Sequence, residues 1–164
     1  MQNPVFDRQH IREYFVYGSI AAVLYMIPVW FFLADAEYKN LYYLFIGIAL
    51  FMLTILCYAY KLVYRPYERK RSVAMLTAGH LATISGIAIA LLLVLISVLI
   101  FFPHLSIPLP ADSILKGAPA TLQPHRPSGL LFMLLAVTAI GNAGVGSFIS
   151  VATSYAGRRG RSEK

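Results

Sequence analysis

Apolar residues along this chain are gathered into four long stretches, which short polar segments separate. A helix needs about 20 apolar residues to cross the hydrocarbon of a membrane. Each stretch is at least that long, and Asp, Glu, Lys and Arg are absent from all four. The pattern predicts four transmembrane helices, at about 14–34, 41–60, 73–102 and 128–155.

The segments between the stretches predict how the helices are connected. The first and second loops are short, which favours antiparallel pairing of neighbouring helices. The third loop, 103–127, is long and contains six prolines, so it is expected to be neither helix nor central strand. We therefore predict an all-α membrane protein, a single domain over 1–164 in which two antiparallel hairpins form a four-helix bundle, followed by a basic tail at 156–164.

Composition agrees with a membrane protein. Of the 164 residues, 59% are hydrophobic and 13% are charged, whereas soluble domains have about 45–50% apolar and about 25% charged residues. The single cysteine, Cys57, excludes an intrachain disulfide, and no Cys and His spacing is typical of a zinc site. No cofactor is predicted. The net charge of +7 is explained by basic residues beside the apolar stretches, so membrane lipids rather than nucleic acid are the expected partners.

The distribution of basic residues predicts the orientation. Eleven Lys and Arg residues lie in the N-terminal segment, the second loop and the C-terminal tail, and three lie in the first and third loops. Cytoplasmic loops carry the excess of Lys and Arg, so both termini are predicted to be cytoplasmic and 103–127 to be an outer loop. Anionic lipid headgroups attract basic segments beside a membrane helix, and the candidates here are Arg65, Arg69, Lys70 and Arg71. The short cytoplasmic loops, and an N-terminus that does not resemble a transit peptide, favour a bacterial inner membrane.

Small residues recur at intervals of four in the last two predicted helices, and helix contacts in lipid favour such residues because they let two backbones approach closely. The series of the third helix falls in the predicted cytoplasmic half of the membrane, and so does the series of the fourth helix from Ala143 onward. We therefore expect the third and fourth helices to pack closely there, either within one chain or between subunits. The residues predicted for this packing are Ala78, Ala82, Gly86 and Ala90 in the third helix and Ala139, Ala143 and Gly146 in the fourth.

Polar side chains within the apolar stretches are the candidates for function. His80 is the one titratable side chain within a predicted span apart from tyrosines and Cys57, and could bind a ligand or simply cap the interface. Asn142 must find hydrogen-bond partners in the hydrocarbon, or contact a ligand. Together with these two, the candidate polar or ligand-contacting residues include a stripe on the fourth helix, Ser147, Ser150 and Ser154.

Three functions remain open on these observations. The scarcity of charged side chains in the spans and the small-residue series favour a non-enzymatic accessory or structural subunit, packing through helices three and four with itself or with a larger membrane complex. The alternative is an oligomeric channel or transporter lined by the polar stripe of the fourth helix. A membrane-embedded lipid-processing enzyme is less favoured, because the titratable residues near the membrane are sparse and scattered along the sequence.

Overall fold

The computed structural model describes residues 8–64, 72–105 and 130–159. These residues form four long helices, each with a segment that is long and apolar enough to cross a membrane. The predicted class, an all-helical integral membrane protein, is therefore confirmed. The helices are α1 (Arg8–Asp35), α2 (Tyr42–Tyr64), α3 (Ser72–Ile96) and α4 (Leu130–Arg159).

Three helices extend past the apolar stretches that predicted them. α1 begins at Arg8 rather than near Tyr14, α2 ends at Tyr64 rather than Tyr60, and α4 continues to Arg159. Apolar content reports the part of a helix that lies in hydrocarbon. Helix ends, however, are set by backbone hydrogen bonds, which charged side chains at a membrane surface do not interrupt.

α3 differs in the opposite sense, because its α-helical part ends at Ile96, before the predicted limit of Phe102. A π-helical turn follows over Ser97–Phe101, and the backbone N–H of Phe102 donates to the carbonyl oxygen of Ser97 at 3.2 Å. Bonding to the fifth preceding residue widens the helix. Of the predicted outer loop at 103–127, the structure describes the short 3₁₀ turn Pro103–Leu105, and residues 106–127 lie outside the described ranges.

Each helix packs against two neighbours along its length. α3 contacts α1 and α4, and α2 also contacts α1 and α4, so α2 and α3 occupy opposite corners of the arrangement. We call the end with the first residues of α1 and α3 the lower end, and the opposite end the upper end. Large side chains fill the space between the helices, and the fully buried ones include Tyr25, Phe32, Phe51, Tyr58 and Leu134.

The turn between α1 and α2 is held by local hydrogen bonds at the upper end. Ala36 has φ 46°, a left-handed conformation that is uncommon for residues other than glycine, and its N–H donates to the carbonyl oxygen of Phe32 at 2.7 Å. Lys39 forms an ion pair with Glu37 at 2.6 Å. The hydrogen bond from its ammonium to Glu37, with the charge of that carboxylate, raises the pKa of Lys39.

Contacts between aromatic rings connect the upper end of α1 with α2 and with the π-helical turn that follows α3. Trp30 of α1 packs edge-on against Phe101 and Phe102, with ring centroids 5.1 Å and 5.5 Å apart. Phe31 packs against Tyr43 of α2 at 5.9 Å. Aromatic side chains are enriched at the two surfaces of a membrane, so this layer marks the upper boundary of the apolar segments.

Candidate functional site

The small residues predicted on α3 are all buried, and Gly86 among them faces α1 and α2. A methyl group added to Gly86 would lie 2.9 Å from ring atoms of Phe51 in α2 and 3.2 Å from the carbonyl oxygen of Gly18 in α1. The Ser85 hydroxyl also reaches α1, where it donates to the carbonyl oxygen of Tyr14 at 2.9 Å. A close α1–α3 approach at Gly18 therefore accompanies the predicted series, and the sequence reasoning missed it.

On α3, the contact with α4 passes through residues next to the predicted series. Gly79 of α3 lies directly against the Ser150 side chain, and Gly146 of α4 lies directly against Thr83. Gly146 is buried, whereas Ala139 and Ala143 are half-buried. The two helices meet closely within one chain, along a line displaced by one residue on α3.

The hydroxyl groups on this line hydrogen-bond to their own helices. Ser150 donates to the carbonyl oxygen of Gly146 at 2.7 Å, and Thr153 donates to that of Ile149 at 2.7 Å. On α3, Thr83 donates to the carbonyl oxygen of Gly79 at 2.9 Å. Bonds to the fourth preceding carbonyl satisfy a hydroxyl without water. The other two serines of the predicted stripe, Ser147 and Ser154, are half-buried.

A second polar group lies in the interior between α1 and α4. The hydroxyls of Tyr25 and Thr138 are 2.9 Å apart, and Thr138 donates its proton to the carbonyl oxygen of Leu134 at 2.6 Å. Asn142, one turn further along α4, donates from Nδ2 to the carbonyl oxygen of Thr138 at 2.9 Å. Tyr25, Thr138 and Asn142, which we call the central polar group, are each 0% exposed. One chain therefore encloses the amide of Asn142.

His80 is half-buried in α3, and one of its ring nitrogens is held by the helix. Nδ1 lies 2.9 Å from the carbonyl oxygen of Leu76. A carbonyl can only accept, so Nδ1 carries the proton, and Nε2 is the lone-pair site of the neutral ring. Among the described ranges, no group of three or more His, Cys, Asp and Glu side chains is placed to hold a metal ion.

The lower ends of α1 and α2 are joined by an ion pair that the sequence pattern did not predict. Lys61 Nζ lies 3.5 Å from Oε1 of Glu13, and the two side chains are 40% and 15% exposed. The same ammonium lies 5.2 Å from the ring centroid of Tyr17, where the negative face of the ring attracts it. Glu13 and Lys61 both lie outside the apolar stretches, so a search limited to intramembrane charges passed over them.

Tyr17, which contacts Lys61, belongs to a cluster of tyrosine rings. Tyr58 of α2 packs against Tyr17 with centroids 4.8 Å apart and edge-on against Tyr14 at 6.3 Å. Tyr14 and Tyr58 are buried, and so is His10 one turn before Tyr14. His10, Tyr14 and Tyr17 recur at spacings of four and three, which places them on one face of a helix. This spacing was the available signal, once the helix was known to begin before Tyr14.

The basic residues predicted to contact lipid headgroups, Arg65, Arg69, Lys70 and Arg71, lie outside the described residues. In the described part, buried polar side chains of α4 donate to their own helix. An ion pair joins the lower ends of α1 and α2. Comparisons of the chain with known protein families, with curated proteins and with solved structures find no match. The described residues identify a small integral membrane protein with four membrane-spanning helices, and its function has to be argued from their geometry.

Proposed function

We propose that this chain is a non-enzymatic accessory or structural subunit of a membrane, which forms an oligomer or joins a larger membrane complex through α3 and α4. The observation that carries the proposal is the uneven covering of the helices. We compare the most apolar 18-residue segment of each helix. The buried share of this segment is 44% in α1 and 39% in α2, but only 28% in α3 and 28% in α4. The last two helices therefore keep more of their surface for lipid or for another protein.

The exposed face of α4 has a shape that suits another helix. Ile140 and Phe148 are each 73% exposed, and Gly144 lies between them at intervals of four. A methyl group added to Gly144 would have no heavy-atom neighbour within 4 Å. Small residues flanked by large ones allow two helices in lipid to approach closely and to interlock. We propose that a helix of a second copy or of a partner subunit occupies this notch.

The bonding of the α4 serines weighs against the channel alternative. A permeation path along the stripe needs Ser147, Ser150 and Ser154 to present hydroxyls to water. Ser150 is buried, lies against Gly79 and donates to its own backbone. Ser150 therefore contributes to packing rather than to a water-filled path, which supports the subunit proposal.

The proposal is tested by measuring association after the notch is filled. We expect the purified chain in lipid nanodiscs to run in native mass spectrometry as an oligomer or with a co-purified subunit. Gly144→Leu should release single chains, because Leu would occupy the space of the partner helix while meeting nothing in its own chain. Ala49→Leu, on the exposed face of α2, is the matched control and should leave the complex intact. Single chains in the unmodified protein, or equal complexes in both variants, would refute the proposal.

We further propose the orientation with both termini in the cytoplasm of a bacterial inner membrane, with Arg65, Arg69, Lys70 and Arg71 at the anionic headgroups. The unequal distribution of Lys and Arg supports it. With Cys57 replaced by Ser, a membrane-impermeant thiol reagent added to spheroplasts should label Ser113→Cys but not Ser162→Cys. Labelling of Ser162→Cys in sealed spheroplasts would show that the C-terminus lies outside and would contradict the proposed orientation.

A further inference from the structure

The strongest unexplained feature of the interior is the side-chain oxygen of Asn142. Asn142 is 0% exposed, and among the described residues nothing donates a hydrogen bond to its Oδ1. A buried carbonyl oxygen without a donor costs free energy, and buried polar groups in native proteins nearly always have a partner. A feature of this kind in the interior of a membrane protein therefore points to a further hydrogen-bond donor.

The orientation of the amide is determined by its other end. Nδ2 donates to the carbonyl oxygen of Thr138 at 2.9 Å. Exchanging the nitrogen and the oxygen would place two acceptors against each other, so the oxygen must be the atom on the far side. The requirement for a donor therefore cannot be removed by turning the amide over.

The two hydroxyls of the central polar group have no proton left to give. Thr138 donates its single proton to the carbonyl oxygen of Leu134. In the bond between the Tyr25 and Thr138 hydroxyls, Tyr25 must then be the donor. Both oxygens keep lone pairs, whereas neither has a proton for Asn142. Nδ2 of Asn142 has a second proton, but an amide cannot donate to its own oxygen. Oδ1 therefore needs a donor from another molecule.

We propose that the centre of the molecule binds one water molecule, which donates one hydrogen bond to Oδ1 of Asn142 and the other to a lone pair of Tyr25 Oη. A buried water typically makes two to four hydrogen bonds to groups that are otherwise unsatisfied. These two acceptors match the two protons that a water offers. The same bonds link α4 to α1, two helices at opposite corners of the arrangement.

The test is to detect this water next to Asn142 in the intact chain. The sequence has three asparagines, Asn3, Asn40 and Asn142. In the otherwise unmodified chain labelled with ¹⁵N-asparagine, the side-chain amide signal of Asn142 is assigned as the one that is lost in Asn142→Asp. In nanodiscs of deuterated lipid, we expect magnetisation transfer from water to the Nδ2 protons of Asn142. In a rotating-frame Overhauser experiment, the transfer should have the sign of a dipolar contact and not the sign of chemical exchange.

Two substitutions then assign the partners. In the same labelled chain, Tyr25→Phe removes one acceptor and should abolish or strongly reduce the transfer, while Tyr60→Phe, at an exposed ring of α2, should leave it unchanged. No dipolar transfer in the labelled chain would overturn the water site. Transfer that survives Tyr25→Phe undiminished would overturn the assignment of Tyr25 as the second partner. Because the first measurement leaves the interior intact, it does not depend on whether Tyr25→Phe folds.

Discussion

Gly144 and Gly146 are two residues apart on α4, and they have opposite surroundings. A Cβ on Gly146 would lie 2.9 Å from the Cβ of Thr83 and closer still to its other side-chain atoms, whereas a Cβ on Gly144 would meet nothing within 4 Å. Two residues turn an α-helix by about 200°, so one glycine faces α3 and the other faces outward. The presence of a small residue indicates that close approach is possible, and the phase of the helix decides which neighbour approaches.

The same contrast holds for the polar residues of the molecule. Inside, Thr138, Asn142 and Ser150 are buried and donate to their own helix. At the ends, Glu13 and Lys61 form a half-exposed pair, and Lys39 with Glu37 forms a more exposed one. We therefore expect substitutions in the packed interior to change the free energy of unfolding most, and substitutions at the surface to change it least.

The largest effect is expected at the packed glycine. Gly146→Val should lower the free energy of unfolding in bicelles by about 3 kcal/mol, because added methyl groups in a filled interior force neighbours to move. In bicelles dilute enough to contain single chains, Gly144→Val should change it by about 0.5 kcal/mol or less, as for surface substitutions that make no contacts within their own chain. Steric trapping measures both values. Equal losses would show that the helix phase is not what separates the two glycines.

A smaller effect is expected for the hydrogen bond between Tyr25 and Thr138. A double-mutant cycle of Tyr25→Phe and Thr138→Val should give a coupling of about 0.5–1 kcal/mol, since hydrogen bonds between membrane helices contribute little net stability. The cycle uses the same unfolding measurement. A coupling near zero would mean that the 2.9 Å contact does not stabilise the folded chain.

The ion pair at the lower end should contribute less again. A cycle of Glu13→Gln and Lys61→Met should show a coupling of about 0.5 kcal/mol, because Lys61 is 40% exposed and water screens the interaction. The coupling should decrease when salt is raised, which is the control that separates charge from packing. A value that does not depend on salt would assign the effect to the contact of Lys61 with Tyr17.

The smallest effect is expected at the upper turn. The pKa of Lys39 is raised above its ordinary value, chiefly by the hydrogen bond to Glu37. A group with a raised pKa stabilises the folded chain fully below its unfolded pKa, about 10.5 for lysine, and the contribution is lost as the pH rises through the folded value. Glu37→Gln removes this contribution, but the Lys39 side chain is 75% exposed and water screens the pair. The substitution should therefore lower the thermal unfolding temperature at neutral pH by an amount within measurement error, and it should shift the NMR titration of Lys39 to lower pH.

The candidate site shows which features of a sequence carry over into the structure. The burial of Ala78, Ala82, Gly86 and Ala90 follows from spacing, because residues four apart lie on one helix face. Their partners do not follow from spacing: Gly86 contacts Phe51 and Gly18 from two other helices. The Glu13–Lys61 pair joins residues 48 positions apart, and no local pattern in either segment indicates the other.

By itself, the sequence determined that this protein is helical and apolar enough to cross a membrane four times. That result depends on length and hydropathy, which are local properties, since every backbone hydrogen bond of a helix in lipid is made within the helix. Tertiary structure alone decided that α3 lies between α1 and α4, that Gly146 is packed while Gly144 is open, and that Tyr25 meets Thr138. These contacts depend on how helices are rotated against one another, and in lipid that rotation follows from the fit of surfaces rather than from apolarity.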